Sequence, residues 1–106
     1  MCHISHVYEN GASLYFTVVS AQGDDALAHW TRAKHAANEA ILAAGGTITH
    51  HHGVGTDHRD WYVREAGPLG VAALRAVKRS LDPAGLLSPG VLLPGDRPAP
   101  TTHPRP

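Results

Sequence analysis

Several residue types are scarce in this chain of 106 residues, which contains one cysteine, one methionine and one phenylalanine. A single cysteine excludes an internal disulfide and favours a reducing compartment such as the cytoplasm. Nine basic residues balance nine acidic ones, so the chain lacks the basic surface that nucleic acid requires. No apolar run approaches the ~20 residues of a transmembrane helix. These absences indicate one small domain with a thin hydrophobic core.

Histidine, in contrast, is abundant, with nine copies. His50, His51 and His52 are consecutive and stand in the stretch GGTITHHHGVG. Because adjacent side chains of an extended chain point alternately to its two sides, the three imidazoles do not readily close on one metal. There is no second cysteine and no H-E-x-x-H motif either, so we predict no metal site. A solvated loop is one interpretation of these histidines.

An active-site loop is the interpretation that we favour. Histidine takes or gives a proton near neutral pH, and Gly53 and Gly55 allow the backbone to turn sharply and to approach a ligand closely. Strand ends followed by such a loop and a helix are also common places for anionic ligands.

The first elements are predicted to be two antiparallel strands, at residues 2–9 and 12–20, joined by a tight turn at Asn10-Gly11. With this turn, Tyr15 pairs with His6 and shares a face of the sheet with it. The apolar residue before the turn, Val7, then joins Leu14 and Phe16 on the core face, because side chains alternate along a strand.

A long amphipathic helix is predicted over residues 24–44, with Trp30 in its buried apolar stripe. The β-prone residues 47–50 follow as a third strand. A strand, a helix and a second strand favour a right-handed crossover, which places residues 47–50 parallel to the second strand of the hairpin.

Two further helices are predicted after the histidines. Asp57 is the expected N-cap of a short helix that ends near Glu65, and Gly67-Pro68 breaks it. The second helix has an apolar stripe of residues 69, 73, 77 and 81 and stops at Asp82-Pro83. The proline-rich residues 94–106 are predicted to be disordered. The fold class is thus α+β, with a small mixed sheet built from the hairpin, the crossover helix and the third strand, plus two C-terminal helices.

Four sequence stretches carry a resemblance to a known family. HVYENGASLYFTV, GGTITHHHGVG, DHRDW and LDPAGLLSPGVLL occur in this order. They resemble the C-terminal portion of the FAD-linked oxidases of the vanillyl-alcohol-oxidase class, and in particular the alkyldihydroxyacetonephosphate synthases. The resemblance covers about residues 3–93. The triple histidine favours the synthase branch over the lactate-dehydrogenase branch, which carries a G-E-H-G-I-G form there.

The resemblance implies a fold, a cofactor and a substrate. Residues 1–93 would be the C-terminal portion of a ferredoxin-like cap domain and the segment that returns toward the FAD domain, and FAD would be held mainly by a missing N-terminal domain. Enzymes of this branch exchange the acyl group of a lipid substrate for a fatty alcohol and form an ether bond without net redox change. The location implied is cytoplasmic, with peripheral membrane attachment open for the full-length enzyme.

The resemblance also implies roles for individual residues. Tyr15 and His51 match the catalytic residues of the family, and His50 and His52 would line the same pocket. His52 and Gly53 would contact the cofactor. His6, His58 and Arg59 would bind substrate, although the cationic stretch of the family is reduced here to the last two. Because of this departure, whether the substrate carries a phosphate group stays open.

Two alternatives stay open beside the synthase. One is an FAD-dependent oxidase or dehydrogenase of a hydroxy acid or alcohol. The other is a non-catalytic module that folds and self-associates. Because a three-stranded sheet with few large side chains is incomplete alone, we predict exposed apolar surface and a homo-oligomer. We further predict that the isolated chain is colourless and inactive when FAD is added.

Overall fold

The computed structural model describes residues 1–21 and 23–95, and it confirms the α+β class. The elements are β1 (Cys2–Tyr8), β2 (Gly11–Phe16), α1 (Ala26–Ala43) and α2 (Arg59–Leu81). The chain divides into two compact units, Met1–Ala37 and Asn38–Pro106. Apart from its first two residues, the predicted disordered tail 94–106 lies outside the described part of the chain.

The strands β1 and β2 form an antiparallel hairpin whose register differs from the predicted one. Tyr15 pairs with His3, so its predicted pairing with His6 is wrong. Two features cause the difference: the turn lies one residue earlier than predicted, and an irregularity between Ser5 and Val7 places His6, with a left-handed φ of 50°, outside the regular register. A β-bulge of this kind inserts one residue and restores the alternation beyond it. The earlier turn follows from the position of Gly11, which belongs to β2 and pairs with Tyr8 of β1.

One face of the hairpin carries its apolar side chains, and this face is exposed. Val7 pairs with Ala12, which places it with Leu14 and Phe16, as predicted. Their exposed fractions are 77% for Val7, 53% for Leu14 and 61% for Phe16. We call Ile4, Val7, Leu14 and Phe16 the apolar hairpin face. The predicted exposure of apolar surface is thereby confirmed for this unit.

The helix α1 is close to its predicted limits. The Asp25 carboxylate accepts a hydrogen bond from the Ala28 N–H, which caps the first turn. At the other end Gly45, at φ 75°, and Gly46 donate to Leu42 and Ile41, the bond pattern of a Schellman C-cap. Trp30, however, is 48% exposed, so its prediction as a core residue is wrong.

Residues 47–50 do not form a strand, and the predicted third strand, the mixed sheet and the crossover are wrong for the described residues. The sheet in this part of the chain contains β1 and β2 alone. Hydrogen bonds to Glu65 on α2 take the place of strand partners for this segment. Its carboxylate accepts hydrogen bonds from the Thr47 hydroxyl and from the Ile48 N–H, the latter at 2.8 Å. Side-chain acceptors thus replace a β-ladder here.

The helix α2 consists of two helical stretches that meet at Gly67, as predicted. Gly67 has φ 69° and ψ 172°, and Pro68 follows as the first residue of the second stretch. The N-cap is His58 and not Asp57, because Asp57 lies outside the first turn and its carboxylate accepts from Thr56. The C-cap is Asp82, in agreement with the predicted stop.

The buried side of α2 is not the predicted apolar stripe. Leu69, Val77 and Leu81 are 83%, 56% and 78% exposed, whereas Val71 is 5% exposed. In the described part of the second unit, the buried hydrophobic residues are Ile48, Val71 and Leu93. The predicted stripe is therefore wrong as a core, and the core is small. No described helix is long and apolar enough to cross a membrane.

Candidate functional site

The triple histidine lies on a turn that its own neighbours close. The Thr49 hydroxyl donates to the Gly53 carbonyl at 3.0 Å and to the His50 carbonyl at 3.1 Å. Gly53 has φ 84°, a conformation that glycine adopts without steric cost. The turn therefore keeps its ends together and leaves the imidazoles of residues 50–52 exposed on its outer side.

The three imidazoles contact one another in sequence order. The ring centroids of His50 and His51 are 4.5 Å apart at an interplanar angle of 75°, and those of His51 and His52 are 4.9 Å apart at 86°. The Nδ1 atoms of His50 and His51 are 2.5 Å apart, within hydrogen-bond distance. The structure thus brings together three residues that a fully extended chain would spread to alternate sides.

A hydrogen bond between two Nδ1 atoms has a direct consequence for proton chemistry. One of the two nitrogens carries the proton and the other accepts it. In the neutral pair, the ring that donates from Nδ1 has an unprotonated Nε2, and the ring that accepts at Nδ1 carries its proton on Nε2. The two Nε2 atoms of His50 and His51 therefore present one base and one acid side by side.

The chain after the turn is held by His58. Its backbone N–H donates to the Val54 carbonyl at 3.3 Å, and its ring Nδ1 lies 3.2 Å from the same oxygen. Because a carbonyl oxygen only accepts, the Nδ1 of His58 carries the proton in this contact. Neutral His58 thus keeps an acceptor at Nε2. Its predicted role in substrate binding stays a prediction.

Arg59, predicted to bind substrate, has a structural contact. Its Nη1 donates to the Gly90 carbonyl at 2.7 Å, and its Nε lies 3.2 Å from the Asp60 carboxylate. The first residue of α2 is thereby tied to the turn at residues 88–91. The Asp60 carboxylate partly balances the charge of the guanidinium, and the substrate-binding role of Arg59 stays a prediction.

A second carboxylate anchors the chain after α2. Asp82 accepts from the Lys78 ammonium and from the N–H groups of Leu86 and Leu87, at 3.0 and 2.9 Å. The hydrogen bond from Lys78 and that from Leu87 are the main causes that lower the pKa of Asp82 from its ordinary 3.8 to about 2, with burial acting in the opposite direction.

The remaining predicted site residues lie in the first unit. Tyr15 is 56% exposed on β2, and His6 is the bulged residue of β1. Tyr15 and Ser13 share the polar face of the hairpin, opposite to its apolar face. The convergence of Tyr15 and His6 with the triple histidine stays a prediction.

The residues of the turn fit the reactive ring of a flavin better than its nucleotide part. Exposed imidazoles offer both hydrogen-bond donors and acceptors, which suits the polar edge of a heterocycle. Gly53 has open space where a side chain would be, so its backbone is accessible to a ligand. The sequence contains no G-x-G-x-x-G loop, which the nucleotide part of a dinucleotide cofactor commonly requires. The fit concerns His52 and Gly53, the two predicted cofactor contacts.

Sequence reasoning missed the carboxylates that shape this region. The sequence identifies Glu65 only as the end of a short helix and Asp82 only as part of the signal that ends the next helix. A signal existed for Asp82, because an aspartate four residues after Lys78 on a helix suits an ion pair. No local pattern links Glu65 to residues 18 positions earlier, because this contact depends on the fold.

Comparisons with known proteins agree with the resemblance in the sequence. The family described as FAD linked oxidases, C-terminal domain, matches residues 1–92. The chain is 40% identical over 94 residues to an alkyldihydroxyacetonephosphate synthase of Trypanosoma brucei brucei and 38% identical over 93 residues to that of Dictyostelium discoideum. It is 30% identical over 97 residues to an uncharacterized FAD-linked oxidoreductase of Escherichia coli O157:H7.

These alignments cover 88%, 87% and 87% of this chain, but only 15%, 15% and 20% of the respective relatives. No solved structure matches the chain significantly. The family match spans most of the chain and includes both the hairpin and the histidine turn. The chain therefore belongs to the FAD-linked oxidase C-terminal domain family.

Proposed function

We propose that this chain contributes the residues that transfer protons in a flavoenzyme that forms ether lipids, of the alkyldihydroxyacetonephosphate synthase kind. The observation that carries the proposal is the exposed turn of His50, His51 and His52, in which two Nδ1 atoms lie 2.5 Å apart. The family match and the identities of 38–40% to synthases support the choice of reaction.

The residues act as follows in this proposal. His51 takes a proton at Nε2 from the substrate carbon next to a carbonyl, and His50 accepts the Nδ1 proton of His51 in their hydrogen bond, which leaves that Nε2 basic. Tyr15 holds a second proton near the reacting carbon. His52 and Gly53 contact the cofactor. When bound, FAD supplies the electron-accepting partner that no amino-acid side chain offers.

The substrate and the partner of the chain follow from the same proposal. The substrate is an acylated small molecule that exchanges its acyl group for a fatty alcohol, bound with help from His6, His58 and Arg59. The partner is an FAD-binding domain, in a cytoplasmic or membrane-peripheral enzyme. The apolar hairpin face is exposed, so the isolated chain self-associates through it.

A chimera tests the reaction. Residues 1–92 replace the matching segment of the Trypanosoma synthase, and flavin content first establishes that the chimera is assembled. We expect ether product with the flavin oxidised after each turnover. Tyr15→Phe and His51→Asn should lower kcat/KM at least about 100-fold, because a positioned acid or base contributes about 100- to 10,000-fold.

Other outcomes of this experiment exclude the proposal. Reduction of the bound flavin by a hydroxy acid, without ether product, favours the oxidase or dehydrogenase alternative instead. A flavin-loaded chimera that works equally well with Tyr15→Phe and His51→Asn contradicts the proposed roles of both residues. His35→Asn, a substitution of an exposed histidine on α1, serves as the matched control and should leave turnover unchanged.

The isolated chain tests the partner and the self-association. After incubation with FAD and gel filtration, we expect no flavin absorption band in the protein fraction. A yellow protein would show that the chain holds the cofactor without the proposed domain. In sedimentation we expect association that weakens in the double variant Val7→Ser, Phe16→Ser. A monomer at all concentrations would contradict the self-association.

A further inference from the structure

We propose that Glu65 is a positioning residue that sets the backbone from which the His50–His51 pair projects. This inference rests on the proposed function only in giving the pair a role in proton transfer. The structural claim is that the Glu65 carboxylate on α2 determines the geometry of the turn at residues 49–53, which is distant from Glu65 in the sequence.

The contacts of Glu65 show how it reaches the turn. One carboxylate oxygen accepts from the Thr47 hydroxyl, and the other accepts from the Ile48 N–H at 2.8 Å. Ile48 is 6% exposed, so the backbone at this point is held by burial as well as by the carboxylate. Two anchored residues thus precede the turn directly.

The next link runs through Thr49. It follows Ile48 without a break, and its hydroxyl donates to the carbonyls of His50 and Gly53. A change in the direction of the backbone at residue 48 therefore moves the hydroxyl that closes the turn. Because a hydrogen bond needs a short distance and a suitable angle, the contact between the Nδ1 atoms of His50 and His51 is sensitive to the backbone that this anchor holds.

The chain offers a matched control. Glu39 also receives donors from α2, namely the Trp61 Nε1 at 2.8 Å and the Arg64 guanidinium at 2.5 and 3.1 Å. These bonds tie Glu39 on α1 to α2, whereas the bonds of Glu65 tie α2 to residues 47 and 48. Substitution of Glu39 therefore perturbs a carboxylate of similar kind and leaves the hydrogen bonds of Glu65 in place.

The experiment compares Glu65→Gln with Glu39→Gln in the full 106-residue chain, with two nuclear magnetic resonance readouts. The first is hydrogen exchange of the Ile48 amide. Glutamine carries no charge and offers one acceptor oxygen in place of two, which weakens the hydrogen bond from the Ile48 N–H, so we expect exchange to accelerate about 10- to 100-fold in Glu65→Gln. The second readout is the set of ring ¹⁵N signals of His50 and His51, which report which nitrogen carries the proton. We expect them to move toward the values of unpaired imidazoles.

The expected result in Glu39→Gln is a lower unfolding midpoint with unchanged Ile48 exchange and unchanged ring signals. Thr47→Val removes one donor to Glu65 and keeps the shape of the side chain. It should shift the same ring signals by a smaller amount, and it decides the question if Glu65→Gln does not fold. Unchanged ring signals in a folded Glu65→Gln or in Thr47→Val, or an equal shift in Glu39→Gln, overturn the inference.

The outcome is separable from that of the proposed function. The ring signals require neither flavin nor substrate. Shifted signals together with a chimera indifferent to His51→Asn would leave Glu65 as a positioning residue and refute the reaction, whereas unshifted signals with a His51-dependent chimera would refute the role of Glu65 alone.

Discussion

The hairpin and the segment 38–95 obtain their backbone order from different sources. In β1 and β2 the order comes from the ladder between the two strands, while Val7, Leu14 and Phe16 stay largely exposed. In the segment 38–95 the helices have their own hydrogen bonds, and the residues outside the helices are held by side chains that contact distant backbone groups.

Two carboxylates are among the side chains that hold the backbone of this segment. Glu65 anchors Thr47 and Ile48, and Asp82 anchors the N–H groups of Leu86 and Leu87. A backbone ladder fixes strand register but covers no side-chain face, so the hairpin depends on a further surface to bury its apolar side. A carboxylate clamp needs no such partner, and this allows residues 47–50 to be ordered without a third strand.

The same substitution in the two regions gives the largest expected contrast. Val71 is 5% exposed and Val7 is 77% exposed. We expect Val71→Ala to lower the free energy of unfolding by about 2 kcal/mol, because it removes buried methyl groups and leaves a cavity. Val7→Ala should cost less than about 0.5 kcal/mol, as exposed positions usually do. Urea unfolding measures both, and equal losses would mean that the apolar hairpin face is covered in solution.

Removal of the Asp82 clamp should loosen the residues after α2 and leave the hairpin unaffected. Asp82→Asn takes away the charge that pairs with Lys78 and one of the acceptors for Leu86 and Leu87. We expect amide exchange at residues 86 and 87 to accelerate about tenfold or more. Asp24→Asn, at an exposed carboxylate before α1, is the matched control and should change neither amide.

Acid should act on the same clamp. The pKa of Asp82 is lowered in the folded chain from 3.8 to about 2, chiefly by Lys78. A lowered folded pKa stabilises the fold above the ordinary value, and this contribution disappears as the pH falls from about 4 through about 2. Urea midpoints measured across this range should fall more steeply for the parent chain than for Asp82→Asn. Parallel curves would show that Asp82 titrates normally.

The bulge in β1 offers the smallest effect. His6 has φ 50°, a region that costs most residues about 1–2 kcal/mol but costs glycine little. After subtraction of the entropy that glycine loses on folding, His6→Gly should stabilise the hairpin by about 0.5 kcal/mol. Ser5→Gly, at a regularly paired neighbour, should destabilise it by a similar amount. Exchange of the hairpin amides measures both, and the same sign for the two variants would contradict the bulge.

The sequence was most informative where a local rule governs the backbone. Gly45-Gly46 ended α1, Gly67-Pro68 broke α2, and Asp82 ended it, each through conformational preferences of the residue itself. The motif around His50–His52 likewise indicates the family from residue order alone.

The predictions were wrong where the position of a residue depends on contacts with distant parts of the chain. The stripe of Leu69, Val77 and Leu81 has helical spacing, but periodicity identifies an apolar face and not whether anything covers it. Tyr15 pairs with His3 and not with His6, because the turn lies one residue earlier than the Asn10-Gly11 motif indicates and because strand alternation cannot reveal a bulge.

The third strand was predicted for residues 47–50 because β propensity measures the fit to a sheet and does not show that a sheet is present. The sequence by itself determined the family and the approximate limits of the helices, since these depend on motif order and on local preferences. The residues of the proposed chemistry come from the same motifs and stay predictions. Only the tertiary structure decided that Glu65 holds Thr47 and Ile48, because contacts over 17 or 18 positions depend on how helices and turns pack. It also decided that the rings of the neighbours His50 and His51 meet at their Nδ1 atoms, because this contact depends on the backbone conformation of the turn and not on residue type alone.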